Sequence, residues 1–220
     1  MNHTKERILD TAERLFAQQG YAATSLRSII AGAGVNLAAV HYHFHSKEAL
    51  LEAVVLRRAE PANQERLNLL DQFQQAAGEV PVPLEKVIEA FVAPTFRMAL
   101  DPASDGMVFM RLLGRLHAEG DLLSGILISQ FSDMLARFGA ALRRALPDLP
   151  QEELFWRLNF AIGALAQTLR GASKDLAAIS DLSPSFDSEK ALERLVVFLS
   201  AGFRAPVIHG IEEVHAVQER

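Results

Sequence analysis

Residues 24–47 read TSLRSIIAGAGVNLAAVHYHFHSK, and within them two short helical patterns meet at a glycine. Residues 25–31 place Leu26, Ile29 and Ile30 on one helical face. Gly34 then supplies the positive φ that a tight interhelical turn demands. Val35 pins that turn to a core, and Asn36 is a good N-cap because its side-chain oxygen can accept an otherwise unpaired backbone N–H. In residues 37–44, Val40 and Phe44 lie four apart on the buried side. Leu37, Ala38, His41 and Tyr42 occupy the opposite side, with His43 at the end. Ser46 then caps a third helix. Helix, glycine turn and second helix is the layout of a DNA-binding helix-turn-helix, whose second helix enters the major groove.

The residue types suit that use. A helix entering the groove must bring its backbone close to base edges, so small residues such as Ala38 and Ala39 behind Asn36 and Leu37 are favourable. An alanine methyl can also touch a thymine methyl. His41 and Tyr42 pair hydrogen bonding with a flat apolar body, and Arg27 is long enough for a phosphate or a guanine edge. Thr24, Ser25, His43 and Lys47 are expected to anchor phosphates through hydroxyls, helix N-termini and charge. The plainer alternative is a helical hairpin whose His and Tyr are merely solvated. His41 and His45 lie four apart, but no carboxylate or cysteine stands nearby at ligand spacing, so they read as DNA-facing and cap-region residues rather than a metal site.

Charge at first argues against this reading, because the chain carries 22 Lys and Arg against 27 Asp and Glu, a net of −5. Residues 1–50, however, hold five cations (Lys5, Arg7, Arg14, Arg27, Lys47) and four acids (Glu6, Asp10, Glu13, Glu48). That is a net of +1 and leaves −6 for the rest. The acid sits away from the proposed reading head. Because the head is only weakly basic, helix N-termini and hydroxyls must carry much of the phosphate contact.

Leu and Ala dominate a composition that is 50% hydrophobic and only 7% aromatic, which points to an all-α chain. There are no cysteines, so disulfides, thiolate metal sites and cysteine catalysis are excluded. The polar start MNHTKER lacks a signal-peptide core, and no run approaches a membrane span, so a cytoplasmic protein is expected. No phosphate-cradling glycine loop, nucleophile elbow or His-Glu-x-x-His is present. An enzyme is therefore not expected, and nothing calls for a cofactor.

The chain divides into a three-helix head over residues 1–50, a larger helical ligand-binding and dimerisation body over 51–205, and a tail over 206–220 expected to fray. Helices are expected over 4–18, from 46 onward with Pro61 as a kink or stop, then over 84–100 with Pro94 as a kink, 107–117, 122–146, 152–169 and 187–203. Residues 76–83 and 171–184 read as loops. Phe109, Met110, Phe131, Met134, Trp156 and Phe160, with Asn159 as a polar partner, are candidates for lining an apolar ligand pocket. Ordinary core packing is the competing reading for each. Arg97, Arg111, Arg115, His117, Gln167 and Arg170 are further polar groups on these helices. Residues 158–169 are apolar nearly all round and must be covered on two sides. Ala161 and Leu165 there, with Leu192, Leu195 and Leu199 on the last helix, are expected to form an isologous homodimer contact.

The run Arg-Ile-Leu-Asp-Thr-Ala-Glu-Arg-Leu-Phe from Arg7, followed by Gly-Val-Asn-Leu-Ala-Ala-Val-His-Tyr-His-Phe-His-Ser-Lys from Gly34, resembles the TetR family of repressors. Asn36 to Val40, Phe109 to Gly114 and Glu153 to Arg157 resemble its subgroup with a CerR-like C-terminal domain, to which the fatty-acid-responsive regulator PsrA is similar. His41 stands where many members carry Tyr. The resemblance implies a homodimeric repressor on a pseudo-palindromic double-stranded DNA operator, released by a small apolar effector such as a fatty acid or acyl-CoA, with no membrane association. A helical lipid-binding carrier or adaptor is the alternative.

Overall fold

Apolar residues at helical spacing, interrupted only by Gly, Pro and capping residues, make the described part of the chain all-helical. A computed structural model describes residues 2–101, 105–118, 121–169 and 187–207. In chain order its helices are α1 (Asn2–Gln19), α2 (Leu26–Ala33), α3 (Leu37–Phe44), α4 (Lys47–Ala77), α5 (Leu84–Leu100), α6 (Gly106–Ala118), α7 (Asp121–Ala145), α8 (Gln151–Leu169) and α9 (Ser188–Phe203). The loop expected over 171–184, Arg170, the side chain of His117 and the tail beyond 207 lie outside the described residues.

Two apolar clusters hold the helices together. The first gathers Ile8, Phe16, Ile29, Val40, Phe44, Leu50, Val54 and Ala59 from α1 to α4. Full burial of each large side chain here stabilises the fold by about 1.5–3 kcal/mol. The second gathers Leu70 from the far end of α4 with Val87, Phe91 and Phe96 from α5, Phe138 from α7, Leu154 and Leu165 from α8, and Leu195 and Leu199 from α9. The boundary drawn at residue 50 therefore falls inside α4, which contributes its first half to one cluster and its second half to the other. A contribution invisible in the sequence comes from α6, whose Phe109, Leu112 and Leu116 are buried in the first cluster. Gly106 at its start lies so close to α5 that an added Cβ would stand 2.0 Å from the Met98 carbonyl oxygen.

Pro61 does not stop α4, and Pro94 does not interrupt α5; both sit inside continuous helix. Each removes one N–H and so frees the carbonyl four residues back, Arg57 or Ala90. Tertiary packing on both sides of the two helices outweighs that local loss. Both prolines line one groove of about 410 Å³ between α4 and α5, together with Arg57, Arg58, Glu65 and Arg97.

Charge ties the head to α4. Glu13 on α1 is buried, and its carboxylate accepts from Arg58 Nε at 3.1 Å and from an Arg57 guanidinium nitrogen at 2.5 Å. Arg57 reaches two further α1 carboxylates, Asp10 at 2.7 Å and Glu6 at 3.2 Å. Among the described residues no helix is long and apolar enough to cross a membrane.

Candidate nucleic-acid interface

The turn between α2 and α3 is built as its residues dictate. Gly34 takes φ +60°, and its N–H donates to the carbonyls of Ala31 and Ile30, ending α2. Arg7 on α1 donates to the Ala33 carbonyl and, at 3.3 Å, to that of Gly34, so one head cation neutralises the C-terminal end of α2. The side chain of Asn36 accepts from the Ala39 N–H at 2.9 Å and starts α3. Val40 and Phe44 are buried. Leu37, Ala38, His41 and Tyr42 are exposed on the other side, Tyr42 by 68%. Ala39 and His43 are half-buried, and the His43 ring lies between those of Tyr42 and Phe44.

The joint from α3 to α4 is short. His45 takes φ +60° without being glycine, and the Ser46 N–H donates to the Phe44 carbonyl at 2.6 Å across it. A three-residue turn of this hand is strained and persists only where its surroundings hold it. Here the cap at Ser46, which accepts from the Ala49 N–H at 3.0 Å, locks the start of α4.

Around this exposed face stand the expected phosphate anchors, with one exception. Ser25 is exposed at the start of α2, where it forms a reciprocal capping box with Ser28. Arg27 is exposed two residues along. Lys47 holds its ammonium 4.1 Å above the Tyr21 ring, and the Tyr21 hydroxyl donates to Glu48 at 2.7 Å. Burial, and after it the hydrogen bond to Glu48, raises the Tyr21 pKa well above its ordinary value, so the hydroxyl stays a donor. Thr24 is the exception. It is buried, and its hydroxyl donates to the Gly20 carbonyl at 2.7 Å and weakly to that of Leu15, so it anchors the end of α1 instead of facing outward. Tyr21, Ser28 and Arg7 belong to the site's framework. The Ser-x-x-Ser spacing offers a local signal that could have found the capping box, whereas only the tertiary fold brings Tyr21 to Lys47.

The pocket and dimer candidates are distributed differently from their expected grouping. Phe109 is buried in the head-side cluster, Met134 is buried in the body, and Met110 and Phe131 are partly buried. Trp156, Asn159 and Phe160 do not meet them inside a cavity. They face outward on α8, where Asn159 donates to the Phe155 carbonyl at 2.8 Å and Trp156 stacks on Phe160. Conversely, Ala161, Leu165, Leu195 and Leu199 are buried in the chain's own core, and Leu192 is partly buried against it. The apolar side left exposed on α8 and α9 comprises Phe155, Trp156, Phe160, Ile162, Val197 and Phe198. Arg157 fastens these helices by donating to the Phe203 carbonyl at 2.8 Å.

Comparison with known proteins agrees with this geometry. Residues 8–54 match the model of bacterial regulatory proteins of the tetR family, and residues 89–202 match the tetracyclin repressor-like C-terminal domain. The uncharacterized HTH-type transcriptional regulator YerO of Bacillus subtilis is 51% identical over 51 residues, 23% of this chain and 18% of that protein. The HTH-type transcriptional repressor KstR2 of Mycolicibacterium smegmatis is 31% identical over 90 residues, 40% of each chain. These matches thus span well under half of the relatives' lengths. Among solved structures, a candidate fatty acid metabolism regulator of Clostridium perfringens superposes with TM-score 0.67 at 16% identity, covering 92% of this chain and 100% of that one. Salmonella enterica GusR superposes with TM-score 0.59 at 19% identity, covering 92% and 96%. At these identities the structural likeness speaks for the fold.

Proposed function

The chain belongs to the TetR family of DNA-binding transcriptional regulators, which are not enzymes, and from that premise we propose that it is a homodimeric repressor acting in the cytoplasm. It grips a pseudo-palindromic operator and lets go when a small apolar molecule enters the helical body. The observation that carries the reading is α3: capped at Asn36, held from behind by Val40 and Phe44, and presenting Leu37, Ala38, His41 and Tyr42 to solvent. A carrier or adaptor has no use for such a face beside the N-termini of α2 and α4.

Arg27, Ala38, His41 and Tyr42 choose sequence, while Ser25, His43 and Lys47 position the head on phosphates. Two heads are needed, because one weakly basic head offers little affinity. The exposed aromatic side of α8 and α9 is the surface on which a second copy packs, completing the cover that an all-round apolar α8 requires. The motifs at residues 109–114 and 153–157 support the CerR-like subgroup and hence an acyl effector, a fatty acid or acyl-CoA.

Selection of bound duplexes from random sequence with the full-length protein tests the function. The expected product is a palindromic consensus whose half-sites lie roughly one helical turn, about 34–36 Å, or a multiple of it apart. Absence of any enriched sequence overturns the reading.

A further inference from the structure

Arg66 is buried on the body half of α4, yet among the described residues no carboxylate lies within ion-pair distance of it. Its neighbour Glu65 pairs instead with Arg97. All three guanidinium nitrogens are spent on neutral acceptors. Nε donates to the Phe91 carbonyl at 2.8 Å, one terminal nitrogen to the Asn63 side-chain oxygen at 2.7 Å, and the other to the Thr95 hydroxyl. The guanidinium carbon also stands 5.2 Å from the centroid of the Phe91 ring. Asn63 in turn donates to the Gln130 carbonyl at 3.1 Å. One buried side chain thus ties α4 to α5 directly and to α7 through Asn63. Burial pulls the Arg66 pKa down to about 10, so the group stays cationic at neutral pH.

Stability alone does not account for this cluster. A buried cation without a counter-charge is costly, and well-packed apolar residues of similar volume would serve at least as well. What the cluster adds is a fixed arrangement. Apolar contacts have no direction and admit more than one packing, whereas a fork of directed hydrogen bonds is satisfied in one placement. The place matters too. Nε bonds α5 in the turn where Pro94 leaves the Ala90 carbonyl without its helix donor, which is where a helix bends most easily.

The body also holds the reading head through α4. Near the head, Arg57 and Arg58 of α4 grip the buried Glu13 of α1. Lys47, which begins α4, stands about 28 Å along the helix from Arg66. A tilt of about 5° about Arg66 would move that end by about 2.5 Å, close to the roughly 3.4 Å of one base-pair step.

We infer that Arg66 is a positioning residue for operator recognition: through Phe91, Thr95 and Asn63 it fixes α4 against α5 and α7, and so sets the half-site spacing that the two recognition helices accept. This rests on the reading of the protein as a homodimer on a pseudo-palindrome.

The selected operator, with its spacer lengthened or shortened by one and two base pairs, supplies duplexes for anisotropy titration of the full-length protein. Thermal melts control for folding. Wild type should favour its own spacing roughly 10-fold or more over the neighbouring ones, as firmly held heads require. Arg66→Met should keep the half-site sequence but narrow that ratio several-fold. Arg66→Lys, which keeps the charge but loses the fork, and Thr95→Val, which removes one acceptor, should do the same more weakly; they carry the test if the Met variant does not fold. An unchanged spacing preference in the folded variants, or an equal loss of affinity at every spacing, overturns the role of Arg66 and leaves the regulator reading standing. A wild type that enriches no palindrome overturns the regulator reading itself.

Discussion

Lys47 is proposed above to hold a DNA phosphate, and its surroundings suit that role. Its ammonium rides 4.1 Å above Tyr21 at the start of α4, where the positive end of the helix dipole also favours an anion. Replacing it by alanine should weaken DNA binding about evenly across sequences and reduce the slope of log affinity against log salt by about 0.9, as loss of one phosphate contact requires. Fluorescence anisotropy at several salt concentrations measures both, and a changed sequence preference with an unchanged slope would contradict the role. The cap at Ser46, which places Lys47 in the first turn of α4, was legible in the sequence because capping is a local matter. Thr24 looked equally suited to phosphate, but its hydroxyl is taken by the Gly20 carbonyl four residues back. That competition was visible in the spacing and is decided by the way α1 ends.

Helix existence along this chain follows from periodicity and caps, so bounds came within a residue or two for most elements. The prolines do not end their helices. Pro61 and Pro94 are tolerated because α4 and α5 lie against each other and are held on their remaining sides. Nor does periodicity say which neighbour a helix finds, so the placement of α6 under α1 was out of reach. Gly106→Ala puts a Cβ into the backbone of Met98 and must push α6 off α5. It should destabilise the protein by about 1–3 kcal/mol in urea titration, the range for overpacking, and an unchanged midpoint would mean that the two helices slide freely. A second tie is electrostatic. Glu85 at the start of α5 is bonded to Arg204 at the end of α9, and that bond holds its carboxyl below the ordinary value of 4.5. A carboxyl depressed in the folded state lends stability above its unfolded value and loses it as pH falls through the lower folded value. Thermal melts from pH 6 to 3 should therefore fall less steeply for Glu85→Gln than for wild type, by a small amount because the pair is half exposed. Parallel melting curves would assign the acid loss elsewhere.

For the whole molecule, the sequence announced that α8 must be covered on two sides but not which residues meet which cover. The side carrying Ala161 and Leu165 is filled by the chain itself, and the side carrying Trp156 and Phe160 is left open. Trp156→Glu changes an exposed residue, so it should leave the fold intact while weakening self-association by about 2 kcal/mol or more, the scale of an interface anchor. Sedimentation equilibrium against circular dichroism separates the two effects; a dimer of unchanged dissociation constant, or a wild type that stays monomeric at micromolar concentration, would remove α8 from the contact. The burial of Phe109, Leu112 and Leu116 beneath α1 has a bearing on heredity as well as on mechanics. A crossover that exchanged only the first fifty codons with a relative would leave those three side chains facing a foreign helix, so reading head and α6 must be inherited together.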